Sequence, residues 1–368
     1  MATVTKHFGE FLNIIDHSIV KNKKKRMYPT TASFEITRRC NLDCIHCYNR
    51  GIASTYRIEN ELTTKQVFQV IDGLCDLGIL ILTVTGGEPF LRKDILNILN
   101  YIKNNTQITL IIQTNGTLIN KNVSEYLSKI LTENDIIQVS LDGPRDIHNK
   151  IRGTECWSRV MESLKLLSEN NLSTEVNITP TTLNEDHIIP LLYQLEGIKK
   201  FGASPMAVFN ENDKKYVPDI KKLLNTEKEV INILQSKGIE YTLGIGGEFC
   251  QYHSFKTEEL TYLKNSKSSI KILNEGVQCN AGITKFHITY DGRVFPCVFL
   301  QFDNFLMGNI LQKSLKNIWA EWNINKTIRD LNNTKCASCD FLHVCKGGCV
   351  GMAYSYYKDI NKPDPRCL

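Results

Sequence analysis

From Ser33 onward, short β-rich runs alternate with longer stretches whose apolar residues recur every three to four positions. Residues 33–37, 80–85, 108–114, 135–141, 173–179 and 199–208 read as strands. Their apolar character matches strands buried on both faces of a parallel sheet. Residues 63–77, 94–103, 123–131, 155–169 and 185–195 read as amphipathic helices between them, and 220–237 as a sixth after the last strand. Thr63 or Thr64 supplies the N-cap of the first helix. This β-then-α alternation predicts an α/β fold, a partial parallel (β/α)6 barrel, although periodicity alone does not separate it from a doubly wound sheet.

The alternation stops near Gly238, where glycine and cysteine rise. Residues 279–368 read as turn-rich, with one further helix over 315–330. The chain therefore divides into an N-terminal helical extension (1–32), a core (33–240), a bridging region (241–278) and a cysteine-rich domain (279–368). The extension carries Phe8, Phe11, Leu12, Ile15 and Ile19 at helical spacing, followed by the solvated run Lys23, Lys24, Lys25 and Arg26. No apolar stretch approaches the roughly 18 residues of a membrane span, and no secretory signal opens the chain. The expectation is a cytoplasmic protein with no membrane partner. A net charge of +5 over 368 residues is too mild to imply a nucleic-acid partner.

Thirteen cysteines are the anomaly. In a reducing compartment, clustered thiols point to metal binding or catalysis. Cys40, Cys44 and Cys47 form C-x3-C-x2-C directly after the first strand. Three close thiolates hold three irons of a cubane and leave the fourth open, as a catalytic centre requires. Zinc is the alternative, but His46, lying between Cys44 and Cys47, is badly placed as a fourth ligand. Cys75 and Cys156 fall in helical patterns and read as packing residues.

This first cluster resembles that of the radical S-adenosylmethionine (SAM) enzymes, and downstream residues agree with the family in order. Thr85-Gly86-Gly87-Glu88-Pro89 resembles its GGEP segment, which binds the methionine amine of SAM. There the glycines allow close backbone approach and Glu88 offers a charge to the ammonium. Ser140 and Asp142 match residues near the ribose hydroxyls, and Arg152 one that meets the SAM carboxylate. His46 matches the residue near the adenine, and Tyr48 the aromatic that follows the cluster. Thr114-Asn115-Gly116 ends the third strand facing the same site. The resemblance covers roughly residues 33–240.

The later cysteines resemble the SPASM domain of certain radical SAM enzymes. Twelve residues separate Cys279 from Gly292 and four separate Gly292 from Cys297; Cys336-x2-Cys339-x5-Cys345-x3-Cys349 and a distant Cys367 follow. The resemblance implies one auxiliary 4Fe–4S cluster on Cys336, Cys339, Cys345 and Cys367, and another on Cys279, Cys297 and Cys349. With the SAM-binding cluster that makes three. Two zinc ribbons are the alternative. Some relatives close the second auxiliary cluster with a cysteine six residues after the first, where this chain has Lys285. Cys250 is either a remote ligand or a buried structural cysteine.

The implied activity is reductive cleavage of SAM to a 5′-deoxyadenosyl radical that abstracts hydrogen from substrate, with electrons from a flavodoxin or ferredoxin. Thr85 and Val298 stand where sulfatase-maturing relatives carry Gln and Asp, which argues against formylglycine formation. The first 32 residues are too few for a fused leader-binding domain of about eighty. The expected substrate is a ribosomally made peptide delivered by a separate leader-binding partner. A small molecule such as a tetrapyrrole side chain is the second expectation, and an iron–sulfur or zinc electron-transfer scaffold is the reading from a different class. No residue reads as a catalytic base.

Overall fold

The computed structural model describes residues 28–51, 60–243, 279–339 and 342–367; the helix read in the first 27 residues and the role of Cys250 lie outside them. Seven parallel strands follow one another in sequence order: β1 (Thr31–Glu35), β2 (Ile81–Thr85), β3 (Thr109–Thr114), β4 (Ile136–Ser140), β5 (Thr174–Ile178), β6 (Lys200–Ala203) and β7 (Glu240–Leu243). The helices between them are α1 (Thr64–Asp76), α2 (Ile95–Asn105), α3 (Lys121–Ile130), α4 (Arg145–Arg152), α5 (Trp157–Glu169), α6 (Ile188–Gln194) and α7 (Ile220–Ser236). This is the α/β architecture of a partial barrel.

Local sequence explains the helices. Thr63 caps α1: its hydroxyl accepts from Gln66 N, and the Gln66 side chain accepts from Thr63 N in return. Val67, Val70, Ile71 and Leu74 of α1 then bury one stripe against the sheet, each worth about 1.5–3 kcal/mol of transfer free energy.

The strands are less uniformly apolar than the sequence reading held. Leu110, Ile112, Ile137, Val139, Val176 and Phe201 join the core beneath the helices. The alternate residues Gln113, Gln138, Glu175 and Lys200 occupy the opposite, inner face in one cross-strand register.

Beyond β7 the sequence reading needs two corrections. The cysteine-rich segment extends the main sheet: β8 (Lys285–Ile288) pairs parallel with β1, β9 (Arg293–Phe295) antiparallel with β8, and β10 (Gly308–Asn309) antiparallel with β9. Strands this short carry no periodicity to read. The helix read over 315–330 is α8 (Leu315–Glu321), followed by a separate 3-10 turn at Ile324–Thr327. A last helix, α9 (Val350–Tyr357), follows the cysteines.

Candidate active site

Every element of the candidate site leaves the C-terminal end of a strand of the sheet. After β1 the backbone runs through residues 36–39 into the first cysteine loop, held by the segment after β2. Gly87 N donates to the Thr37 carbonyl at 2.8 Å and Glu88 N to the Arg39 carbonyl at 2.7 Å. A Cβ on Gly86 would lie 2.2 Å from the Thr37 oxygen, and one on Gly87 2.2 Å from the Arg39 oxygen. The paired glycines thus let two backbones of the protein touch.

Glu88 is fully buried. Its carboxylate accepts from Asn115 N (2.7 Å), the Thr114 hydroxyl (2.8 Å) and Phe90 N (3.1 Å). Burial pushes this carboxyl up to about 7, against the pull of those hydrogen bonds and of Arg152. The side chain is therefore committed to tying the loop after β3 to the loop after β2.

Cys40, Cys44 and Cys47 come together at the end of β1. The Cys47 amide bonds the Cys44 carbonyl at 3.2 Å, and Cys47 lies within electrostatic reach of both other thiols. Asn115 Nδ2 stands 4.0 Å from Cys40 Sγ and Arg152 Nη1 3.6 Å from Cys44 Sγ. Burial pushes the Cys44 thiol up to about 11, with Arg152 pulling the other way.

Helix α4, which the sequence reading missed, delivers Arg152 to this loop. Its end is pinned to the loop by Ile45 N donating to the Ile151 carbonyl at 2.9 Å. Gly153 closes the helix at φ +75°, a conformation that favours glycine, and a Cβ there would sit 2.9 Å from the Asp43 carbonyl oxygen. Arg152 Nε lies 2.6 Å from Asp142 Oδ2 and His46 Nε2 3.1 Å from the same oxygen. The Arg152 N–H is not aimed along that contact, so charge pairing holds it. Burial raises the fully buried Asp142 carboxyl, but Arg152, His46 and His148 outweigh burial and hold it far below the usual carboxylate range. Asp142 therefore sits behind Arg152 as its counter-charge, while Ser140 ends β4 in register with Asn177.

A cavity of about 300 Å³ opens beside the loop, lined by His46 and Cys47 on one side and by Met206, Phe209, Asn210 and Tyr216 beyond β6 on the other. Tyr48 is the first residue of a helical turn (Tyr48–Gly51) and meets Phe299 edge-on at 6.0 Å; Phe299 meets Phe209 at 5.5 Å. One aromatic chain thus joins the first cysteine loop, the segment after Cys297 and the cavity wall.

The other cysteines gather in two further groups. Cys279, Cys297 and Cys349 surround Lys285, and Cys297 lies near Cys349. Cys336 is near Cys339, Cys345 and Cys367. Arg329 lies between this second group and Cys349, and donates to the carbonyls of Ile360 (2.7 Å), Gly348 (3.0 Å) and Lys362. Among the described residues, no three His, Cys, Asp or Glu side chains converge closely enough for one metal ion. A cubane places each thiolate on a different iron and so spaces them more widely, which fits thiol-only groups of this kind.

Sequence reasoning missed the inner-face row. Gln113 Nε2 donates to Gln138 Oε1 and Gln138 Nε2 to Glu175 Oε1, both at 2.8 Å, and Lys200 Nζ lies 3.6 Å from Glu175 Oε2. The signal was there: a polar residue on each of four successive strands, β3 to β6.

Comparison with known proteins gives a consistent result. The radical SAM superfamily model matches residues 34–192, and the SPASM iron–sulfur cluster-binding domain model matches residues 279–340. An AdoMet-dependent heme synthase of Methanosarcina barkeri is 26% identical over 92% of this chain and 96% of its own. A mycofactocin maturase of Mycolicibacterium smegmatis is 24% identical, covering 92% of this chain and 83% of its own. SuiB of Streptococcus suis bound to S-adenosylmethionine superposes with a TM-score of 0.73 at 22% identity, over 98% of this chain and 82% of SuiB. The chain belongs to the radical SAM superfamily and carries a SPASM domain, and is an enzyme of SAM and 4Fe–4S clusters, auxiliary ones included.

Proposed function

We propose that this enzyme oxidatively modifies a ribosomally made peptide, using three 4Fe–4S clusters. Cys40, Cys44 and Cys47 hold the SAM-binding cluster. Cys279, Cys297 and Cys349 hold one auxiliary cluster, and Cys336, Cys339, Cys345 and Cys367 the other. The first cluster, when reduced, supplies the electron that cleaves SAM into methionine and a hydrogen-abstracting 5′-deoxyadenosyl radical. Arg152, its charge held in place by Asp142, binds the SAM carboxylate. The backbone of Gly86, Gly87 and Glu88 takes the methionine amine, Ser140 faces the ribose, His46 bounds the adenosine end of the cavity, and Tyr48 lies directly after the cluster loop. Enclosing these groups keeps the reactive carbon near one C–H bond and away from water.

The observation that favours a peptide is the inner-face row of Gln113, Gln138, Glu175 and Lys200. Side-chain amides and a carboxylate complement peptide N–H and C=O groups. A tetrapyrrole with several carboxylates needs cations, and Lys200, the one cation of this row, is already paired with Glu175. A mycofactocin maturase among the relatives supports the same reading. The tetrapyrrole reading rests on a heme synthase of nearly matching length. A separate leader-binding protein would deliver the peptide, and a flavodoxin or ferredoxin would supply electrons.

The anaerobically reconstituted enzyme is expected to hold about twelve irons. Changing Cys40, Cys44 and Cys47 together to Ala should remove about four of them and abolish 5′-deoxyadenosine formation. Incubation with SAM, reductant and either peptides encoded beside the gene or carboxylated tetrapyrroles decides the substrate. Product mass changes only with tetrapyrroles would overturn the peptide reading.

A further inference from the structure

Lys285 opens β8 at the place where three cysteines converge. The turn that puts it there is tightly specified. Asn280, next to Cys279, accepts at its carbonyl from Ile283 N (3.0 Å), Thr284 N and Lys285 N (both 3.2 Å). Gly282 N is shared between the carbonyls of Lys285 (2.9 Å) and Pro296 (3.2 Å), so the turn closes against the residue before Cys297. The third cysteine arrives from the other side. Cys349 stands at the N-cap of α9, and the first turn of that helix is pressed on the segment after Cys297: a Cβ on Gly351 would lie 2.5 Å from Phe299 Cβ.

Lys285 is exposed to solvent, and Cys297, Cys279 and Cys349 all lie within electrostatic reach of its side chain. No carboxylate pairs with it among the described residues. Arg329, which lies near Cys349 as well as near Cys336 and Cys345, is by contrast engaged with backbone carbonyls. The two groups also differ in thiol count: three around Lys285, four in the group of Cys336.

We propose that Lys285 is a tuning residue for the Cys279/Cys297/Cys349 cluster: its ammonium lies beside the three thiols, and so makes this cluster the auxiliary centre that more readily accepts an electron. The inference rests on these cysteines holding a cluster, as proposed above. The charge arithmetic carries it. An oxidised 4Fe–4S core is +2, so four thiolates leave the site at −2 and three leave it at −1. The adjacent Lys285 ammonium offsets that remaining charge, while Asp364 and Arg366, both beside Cys349, oppose one another. Reduction adds one negative charge, which is opposed least where the starting charge is least negative. An oxidative modification that removes a hydrogen atom leaves a substrate radical with one further electron to lose. This cluster would accept that electron, and an external electron-acceptor protein would take it on and return the cluster to its oxidised state.

The test is EPR-monitored redox titration of the reconstituted holoenzyme, with Mössbauer counting of clusters in each variant. Lys285→Met should lower the midpoint of one auxiliary cluster by at least the equivalent of about tenfold in its oxidised-to-reduced ratio, about 59 mV for one electron. Lys285→Arg, which keeps the charge, should restore the wild-type midpoint. Lys285→Cys, which adds a fourth thiolate, should lower it further. If Lys285→Met fails to retain the cluster, the Lys285→Cys variant decides, and a midpoint at or above wild type overturns the proposal. A retained cluster with an unchanged midpoint in Lys285→Met overturns the role of Lys285 alone. If replacing Cys279, Cys297 and Cys349 together by Ala removes no iron, the cluster assignment falls and the tuning role with it.

Discussion

His148 shows how finely the charges behind the cavity are set. It lies on α4 one turn before Arg152, is 1% exposed, and its Nδ1 accepts from the Asp142 amide at 3.1 Å. That bond fixes the neutral tautomer with its proton on Nε2, which has no hydrogen-bond partner. Burial pushes the imidazole down to about 4; Arg152 and His46 push the same way, and Asp142 opposes them. The unfolded chain takes up this proton near pH 6.5 and the folded chain only near 4. His148 therefore contributes stability that is complete above about pH 6.5 and lost as pH falls towards 4. The loss should be about 2–4 kcal/mol across that window. Thermal unfolding at pH 7, 6 and 5 checks this: His148→Gln should melt with a shallower acid dependence than wild type. Parallel slopes would mean that His148 takes up its proton normally. The sequence placed Asp142 and Arg152 in the site but could not reveal that one neutralises the other, because α4 presents polar residues on most of its faces and reads as loop.

At the scale of elements, the meeting of β1 and β2 decides whether the first cysteine loop exists. Gly87→Ala would put a methyl 2.2 Å from the Arg39 carbonyl oxygen and 2.6 Å from that of Arg38, contacts that only a backbone shift can relieve. We expect this variant to fold yet lose about four irons and SAM cleavage, since the displaced segment leads directly into Cys40. Iron analysis beside circular dichroism separates that outcome from general unfolding, and full iron content would refute it. The glycine pair was legible in the sequence; its physical role was not, because close approach to a ligand and close approach to another strand leave the same residue type. Legibility followed length in the same way. Helix α1 was readable to within a residue from Thr63 and its apolar stripe, and β2 to β5 from their β-branched runs. β8 to β10, of four, three and two residues, were invisible because pairing partners, and no internal pattern, make them strands. The first cysteine group, by contrast, was legible in its C-x3-C-x2-C spacing, whereas the division of the later cysteines into two groups came from the resemblance to SPASM domains and not from spacing.

The whole molecule is tied together at its C-terminal strap, and one carboxylate does most of the tying. Asp364 is fully buried. Its Oδ1 accepts from Arg366 N and Nε, both at 2.9 Å, and its Oδ2 from Arg366 Nη2 (2.8 Å) and Cys349 N (2.9 Å). Its own amide donates to the Gly347 carbonyl at 2.9 Å. Arg366 then reaches the Met206 carbonyl in the cavity wall at 3.4 Å, and the strap ends with Cys367 beside Cys336. The Asp364 side chain thus connects Cys349 of one auxiliary group, through Arg366, to the loop beyond β6 that bounds the cavity, while the Asp364 backbone carbonyl accepts from Cys367 N of the other group at 2.9 Å. Burial raises this carboxyl, but Arg366 and the backbone donors dominate and hold it below the usual range. Asp364→Ala would leave the buried Arg366 guanidinium without its counter-charge, at a cost of about 3–5 kcal/mol. It would also leave the Cys349 amide without its acceptor and free the Arg366 side chain of the strap that leads into Cys367. The expected outcome is a lower melting temperature together with loss of up to about eight irons, while the Cys40, Cys44 and Cys47 set keeps about four. Asp364→Asn, which still offers one oxygen to Cys349 N, should lose less of both. Iron counting by Mössbauer spectroscopy on the two variants decides it: if Asp364→Ala keeps all its iron, the auxiliary groups assemble independently of the strap, and its role is confined to holding the loop beyond β6.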